Sequence, residues 1–572
     1  MFLKGLFLLF FSFLPLQSEE GIDPDLNGAE SIAERSINPA QIPYLIQKND
    51  LKKALDLYRS YYEQQKRHDF EILEQLGTIL LEKGALETAP EIQLLSLYGS
   101  LYASLSSKLS VVEAALKSPH LPTQLAALHL IGRLHDDRCS TLLHLAMTSD
   151  FLYTRMEAAY QLALRKNPGA VGQIESLMFR VPPALRSYFP SFFALIGTPD
   201  ATKILKGLLE ASDEQVRIEA ILSTASHGRE ELLPLIRSMA THPGPLVQEA
   251  TAFALGELKD SHSLSKLRRL SLSSFVPIRI AACRSLYLLG EKEVQGVIEE
   301  LAQKENLFAI QLLGEMEGSN AVLVSLLDSR NLHVRFNSAL SLLKKRDPRA
   351  APQLKELLIR DTRDFGFYPI YTPGRALMAW KILPSLDQQQ QNIPYDLKGM
   401  TLAFREKILR DALELPETEF LMLAEALFTS RQTELIPLLV RLLENLESKE
   451  ASLLLKRQQR AAGAPLIRSY CNLSLFRLKE KGPYEEGVRS WVERNKGKEL
   501  IRFREITPKR MKGSDSPYEL TPEERSRLFI ETLEALAQSD NARSIDLFLN
   551  LIEKGNPKNR YVLAGLLLKA LH

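Results

Sequence analysis

The sequence predicts an all-α protein whose middle is an α-solenoid, an array of stacked helical hairpins. Three observations carry this. A short pattern recurs at a fixed step through the middle of the chain. Each copy passes from one apolar helical period to a second across a capping residue. And 572 residues are too many for one compact core, which favours several domains or an elongated array.

The pattern is an apolar residue or Thr, then Arg or Gln, then small residues four and five positions on. It begins at Thr123, Thr154, Val216, Val247 and Ile278, with Leu185 filling the gap, and each start lies 31 residues after the last. Copies at Glu305 and Val334 follow at slightly shorter steps, and a stray copy begins at Ile467. In the Ile278 copy, Ala281, Ala282, Ser285, Leu286 and Leu289 recur at helical intervals. The small residues, such as Ala158 and Ala159 or Ala282 and Cys283, permit close approach of neighbouring helices. Thirteen residues after a start stands Asp136, Asn167, Thr198, Asp260 or Asp347, each a residue type suited to cap a helix N-terminus. Pro168, Pro199 and Pro348 follow directly, where a missing N–H does no harm. A second apolar helix comes next, for instance Ile204, Leu205, Leu208 and Leu209. Such a hairpin buries its apolar faces only by stacking on its neighbours. The basic residue after each start (Arg155, Arg186, Arg217, Arg279, Arg335) is read as structural, bonding carbonyls or acidic groups at the turn between units.

Ile278-Arg-Ile-Ala-Ala-Cys283, the Leu-Gly pairs at Leu255-Gly256 and Leu289-Gly290, and the Asp thirteen residues on resemble the HEAT-repeat superfamily. In particular they resemble the short bacterial phycobilisome-lyase-type HEAT-like repeat. The resemblance covers residues 110 to 360. It implies a solenoid but no single function, because such repeats serve lyases, hydroxylases, chaperone-like subunits and scaffolds. The expected organisation is a signal peptide at 1–18, a flexible N-terminus at 19–42, helical hairpins that cap the array or resemble tetratricopeptide repeats at 43–118, and the HEAT-like solenoid at 119–360. An aromatic and polar linker at 361–396 follows, then divergent helical repeats at 397–494, a basic loop at 495–518 and C-terminal helices at 519–572. The basic loop includes Arg502, Arg504, Lys509, Arg510 and Lys512.

Gly5 to Leu14 is a nearly unbroken apolar run after Lys4, too short for the roughly 20 residues that span a bilayer. It fits a secretory signal cut after Ser18, with retention as an anchor the alternative. The expectation is export to a bacterial periplasm or envelope, with no transmembrane segment in the mature chain. Cys139, Cys283 and Cys471 stand in no metal-ligand spacing, and two fall on the small-residue slot, so they read as core. Net charge is +2, from 72 basic against 70 acidic residues, which argues against a nucleic-acid partner.

Catalytic signatures are missing. The ten histidines include no His-Glu dipeptide of the kind through which HEAT-like hydroxylases bind a di-iron centre. His129, His135, Asp136, Asp137 and His144 lie close in sequence, but Asp136 is already explained as a cap. Ser263-Leu-Ser-Lys266 is a short match to S-x-x-K inside a repeat helix. No enzyme activity, metal or cofactor is expected.

One column points to a partner. Twenty-one residues into successive units, on the second helix, stand Lys206, Arg237 and Arg268. Helices stacked roughly 8–10 Å apart would make these a basic ladder. If the second helices line the concave face, the ladder meets an acidic stretch of protein or another polyanion. The expected function is therefore an exported, non-catalytic scaffold that binds a protein. The alternative is a lyase-like or chaperone-like accessory holding a small molecule or client on the concave face.

Overall fold

A computed structural model describes residues 38–360, 365–384, 397–430, 432–461, 463–500, 522–539 and 541–572. The signal-like start, residues 19–37, the Gln388–Gln391 stretch and the basic residues from Arg502 to Lys512 lie outside them. The described residues are helical apart from one two-stranded hairpin. They form two compact units, one of residues 158–454 and one of residues 38–157 together with 455–572.

The chain opens with α1 (Gln41–Gln47), α2 (Leu51–Gln65), α3 (Phe70–Leu86), α4 (Pro90–Ser100) and α5 (Leu105–Leu116). The repeats follow as hairpins of a first and a second helix. These are α6 (Leu121–Ile131) with α7 (Arg138–Ala146), α8 (Leu152–Leu164) with α9 (Val171–Arg180), and α10 (Phe189–Ile196) with α11 (Pro199–Leu209). Next come α12 (Glu214–Ser226) with α13 (Leu233–Met239), α14 (Pro245–Glu257) with α15 (Leu264–Leu270), and α16 (Val276–Leu288) with α17 (Gln295–Gln303). The last two are α18 (Leu307–Leu313) with α19 (Asn320–Ser325) and α20 (Leu332–Lys344) with α21 (Ala351–Ile359). Strands β1 (Phe365–Tyr371) and β2 (Met378–Pro384) come next, then α22 (Leu397–Asp411), α23 (Glu417–Thr429), α24 (Ile436–Leu446) and α25 (Lys449–Ala461). The chain ends with α26 (Pro465–Arg477), α27 (Tyr484–Asn495), α28 (Pro522–Ala537), α29 (Asn541–Lys554) and α30 (Arg560–Leu571).

In the unit of residues 158–454 the capping residues act as their types dictate. Asn167 accepts from the amide of Gly169, Thr198 from Ala201 and Asp347 from Arg349. Asp260 departs from the expectation, giving its carboxylate chiefly to the side chains of Arg237 and Ser263. Successive first helices touch directly: α10 on α12, α12 on α14, α14 on α16, α18 on α20. The reason is side-chain size. A Cβ on Gly256 would lie 2.2 Å from Oγ of Ser285, and that hydroxyl donates to the carbonyl of Ala252 at 2.6 Å. Ser341 repeats the bond to Ile310 at 2.9 Å, beside Gly314. First helices are accordingly buried on most sides; α16 hides Ile278, Ile280, Ala281, Ala282, Cys283, Ser285, Leu286 and Tyr287. Second helices bury one stripe, in α15 only Leu267 and Leu270. The first helices, and not the second, thus form the closely packed layer.

The expected aromatic linker contains the β-hairpin. Its strands are antiparallel, pairing Phe367 with Ile382 and Pro369 with Trp380. The main-chain amide of Trp380 points out of the ladder, so Pro369 opposite it removes no ladder bond.

In the other unit, the two ends of the chain pack together. α3 and α4 lie against α30, and α2 against α29. The contact depends on glycines within helices. A Cβ on Gly99 would sit 2.6 Å from the carbonyl oxygen of Tyr561, and one on Gly565 2.1 Å from that of Gly99. Arg59 pairs with Glu553, and the hydroxyls of Tyr98 and Tyr102 both donate to Oε1 of Glu534, the former at 2.8 Å. Flanks that read as a cap and a tail therefore build one core.

Candidate functional site

Four of the five arginines in the recurring basic column have the expected structural task, while Nε of the fifth, Arg186, is buried with no hydrogen-bond partner among the described residues. Arg155 donates to the carbonyl of Ser149 (3.0 Å), Arg217 to Ala211 (Nε, 3.0 Å), Arg279 to Ser273 (3.1 Å) and Arg335 to Ser329 (3.0 Å). Gln124 and Gln248 do the same to Ser118 and His242. Each reaches six residues back, satisfying a carbonyl in the turn that follows the preceding second helix.

The predicted ladder lies on the second helices. Lys206 is exposed. Arg237 grips Asp260 with two bonds, Nε to Oδ2 at 2.7 Å and an Nη to Oδ1 at 2.6 Å. Arg268 holds Glu291, its Nε and an Nη both donating to Oε1 at 3.0 and 2.5 Å. Each arginine thus ties its second helix to the turn within the next hairpin. Ser263 donates to the buried Asp260 carboxylate at 2.5 Å and Lys266 to the carbonyl of Arg237 at 2.8 Å, so the S-x-x-K residues serve this junction. Burial pushes the Asp260 carboxyl up, but the bonds from Arg237 and Ser263 outweigh it and hold it below the usual range. A depressed carboxyl adds stability that is present above its ordinary pKa and lost as pH falls through the lowered one. Asp260→Asn is expected to cost about 1–3 kcal/mol near neutrality. In urea titrations that deficit shrinks as the pH is taken below 4.

Asp136 is bound to Arg138 at 2.9 Å at the start of α7, and among the described residues no group of three His, Cys, Asp or Glu is placed to hold a metal. The three cysteines are buried, and burial pushes the Cys283 thiol up to about 11 and that of Cys471 up to about 12.

The polar groups that stand out lie on the first-helix layer, where the hairpin rests. Glu249 on α14, 1% exposed, takes the hairpin tip: its carboxylate accepts from the hydroxyl of Thr372 and the amides of Gly374 (2.9 Å) and Ala376 (3.3 Å). Gly374 is required there, because a Cβ would lie 2.6 Å from the carbonyl oxygen of Leu246. Arg375, at φ +56°, pairs with Glu219 on α12 at 2.8 Å. Further along, Asn337 on α20 accepts from the amide of Trp380 (3.0 Å) and donates to its carbonyl (2.8 Å), and Nδ1 of His333 accepts from Ile382 (3.3 Å). On the other edge Thr401 of α22 accepts from Phe367 (3.0 Å), and Phe404 packs on Trp380 with ring centroids 3.9 Å apart. Apart from Arg375 and the Thr372 hydroxyl, these bonds go to main chain, which any extended segment presents.

Burial raises the carboxyls of Glu249 and Glu219, against three neutral donors in the first and Arg375 in the second. Burial also lowers His333, with Lys381 adding to the effect, which keeps the imidazole neutral and able to accept. Sequence reasoning passed over Glu249, Glu219, Asn337 and His333. A signal was present for Glu249: two residues after its start it stands where other copies carry Ile218, Ile280 and Phe336.

The architecture defines the class, an all-α solenoid, and within it residues 201–287, spanning α11 to α16, match the HEAT repeats family. No curated protein sequence matches the chain. Among solved structures it is similar to the CpcE–CpcF complex of phycocyanin lyase from Nostoc sp. PCC7120, at 17% identity, with 38% of this chain and 94% of that one covered and a TM-score of 0.29. It is also similar to the karyopherin Kap121p bound to the extreme C-terminus of the protein phosphatase Cdc14p (13% identity, 92% and 64% covered, TM-score 0.36). The human deoxyhypusine hydroxylase is similar at 16% identity, with 45% and 91% covered and a TM-score of 0.21.

Proposed function

We propose that this chain is an exported, non-catalytic scaffold that binds a protein partner through the first-helix layer of residues 158–454. The observation that carries the reading is the set of buried polar groups on that layer, Glu249 and Asn337 foremost, which hold polypeptide main chain. Export rests on the apolar run from Gly5 to Leu14; among the described residues no helix is long and apolar enough to cross a membrane. The second-helix column of Lys206, Arg237 and Arg268 is the competing contact face. Its two arginines meet side-chain carboxylates, whereas Glu249 and Asn337 bond main chain, the chemistry any polypeptide partner offers, which favours the first-helix layer.

A small-molecule accessory is the second reading. A cleft lined in part by Arg468, Asn472, Trp491 and Arg494 encloses about 170 Å³. That is below the roughly 300–1,000 Å³ of most small-molecule sites. Affinity capture of the chain from Glu19 onward, in its native envelope, separates the two. Enrichment of a protein is the expected result. A co-purifying chromophore or cofactor with no protein would favour the accessory. Residues 1–18 fused to a reporter are expected to direct it out of the cytoplasm.

A further inference from the structure

We propose that the notch between Glu219 and Glu249 is a docking site for a basic, glycine-containing turn of a partner protein, and that the hairpin tip is its resident competitor. This rests on the scaffold reading above. The tip, Thr372-Pro-Gly-Arg-Ala-Leu377, shows what the notch selects. The Glu249 carboxylate takes two consecutive-but-one amides and a hydroxyl, a demand that any tight turn meets with its own N–H groups. The approach to the Leu246 carbonyl excludes a side chain at the third position of the turn, so glycine is read there. Glu219 then reads the next residue as arginine.

Two features make the tip exchangeable while the hairpin stays in place. The strands are anchored separately from the tip, by Asn337 and Phe404 at Trp380, His333 at Ile382 and Thr401 at Phe367. The tip itself holds a strained contact set: Arg375 sits in the left-handed region, and the buried carboxylate of Glu249 is bonded by neutral groups alone, which offset its desolvation poorly. A two-stranded hairpin has little stability of its own. A partner turn that brings the same Gly-Arg chemistry, with a second cation near Glu249, competes on favourable terms.

The test uses the full chain with its own tip disabled, as the double variant Gly374→Val, Arg375→Glu, and a fluorescent peptide of the sequence Phe365–Pro384 as probe. Fluorescence anisotropy is expected to show saturable binding to this variant and at least tenfold weaker binding to the wild type, whose notch is filled. Adding Glu249→Ala is expected to weaken the peptide about tenfold or more. A variant that keeps its helical circular dichroism and does not bind the peptide overturns the proposal, and leaves partner capture by the wild type unaffected. If the variant fails to fold, hydrogen exchange on the wild type decides. Amides of Gly374 and Ala376 exchanging at least tenfold faster than those of α14 support an opening tip, and exchange at the same rate as α14 overturns it.

Discussion

Gly565→Leu is expected to unfold the unit built from the two ends of the chain. Any Cβ at position 565 falls 2.1 Å from the carbonyl oxygen of Gly99, an obstacle of main chain that no rotamer relieves. α30 buries Val562, Leu563, Ala564, Leu566, Leu567, Leu568, Ala570 and Leu571, so lifting it off α3 and α4 opens much of that core. Overpacking a core ordinarily costs about 1–3 kcal/mol; here about 3 kcal/mol or more is expected because backbone has to move. Hydrogen exchange is the measurement: α3, α4 and α30 lose protection while α14 and α16, in the other compact unit, keep theirs. Gly207, on α11 with nothing within 4 Å of its missing Cβ, supplies the contrast. Gly207→Ala is expected to gain up to about 1 kcal/mol through helix propensity alone.

Glu249→Ala carries the second large effect. It leaves the amides of Gly374 and Ala376 without their acceptor in a buried setting, and the hydroxyl of Thr372 with only the Leu377 carbonyl at 3.4 Å. Roughly 3 kcal/mol is expected, read as a lower urea midpoint with loss of amide protection confined at first to residues 372–377. Glu249→Gln separates charge from hydrogen bonding. Burial raises the Glu249 carboxyl, so its contribution to stability is complete below the ordinary carboxylate pKa and is lost as pH rises through the raised value. On acidification from neutral pH the wild type should gain stability relative to Glu249→Gln, which cannot titrate. A constant difference across that range would show that the carboxyl is not perturbed.

The sequence exposed what repeats and concealed what happens once. The 31-residue step, the caps at Asn167, Thr198 and Asp347, and the arginine column follow from local rules applied several times over, so each copy supports the others. The basic ladder was visible as a column of charge, but its neutralisation was not: Asp260 and Glu291 lie 23 residues downstream of Arg237 and Arg268 and meet them only through stacking. The hairpin was hidden for a different reason. Phe365–Tyr371 contains Gly366 and Pro369, residues that weaken a strand signal, and its edges are satisfied by Asn337, His333 and Thr401 from distant helices. Gly99 and Gly565 carry no repeat to mark them; only the fold shows that the main chain of Gly99 fills the place of a side chain at 565, and that of Tyr561 the place of one at 99.

The partner's footprint tests the binding face most directly. Hydrogen exchange would be followed on the captured complex against the free chain. The expected result is added protection on α12 and α14 around Glu219 and Glu249, with the amides of Gly374 and Ala376 losing theirs as the tip is displaced. Protection confined to the second helices carrying Lys206, Arg237 and Arg268, with the first-helix layer and the hairpin unchanged, would contradict it.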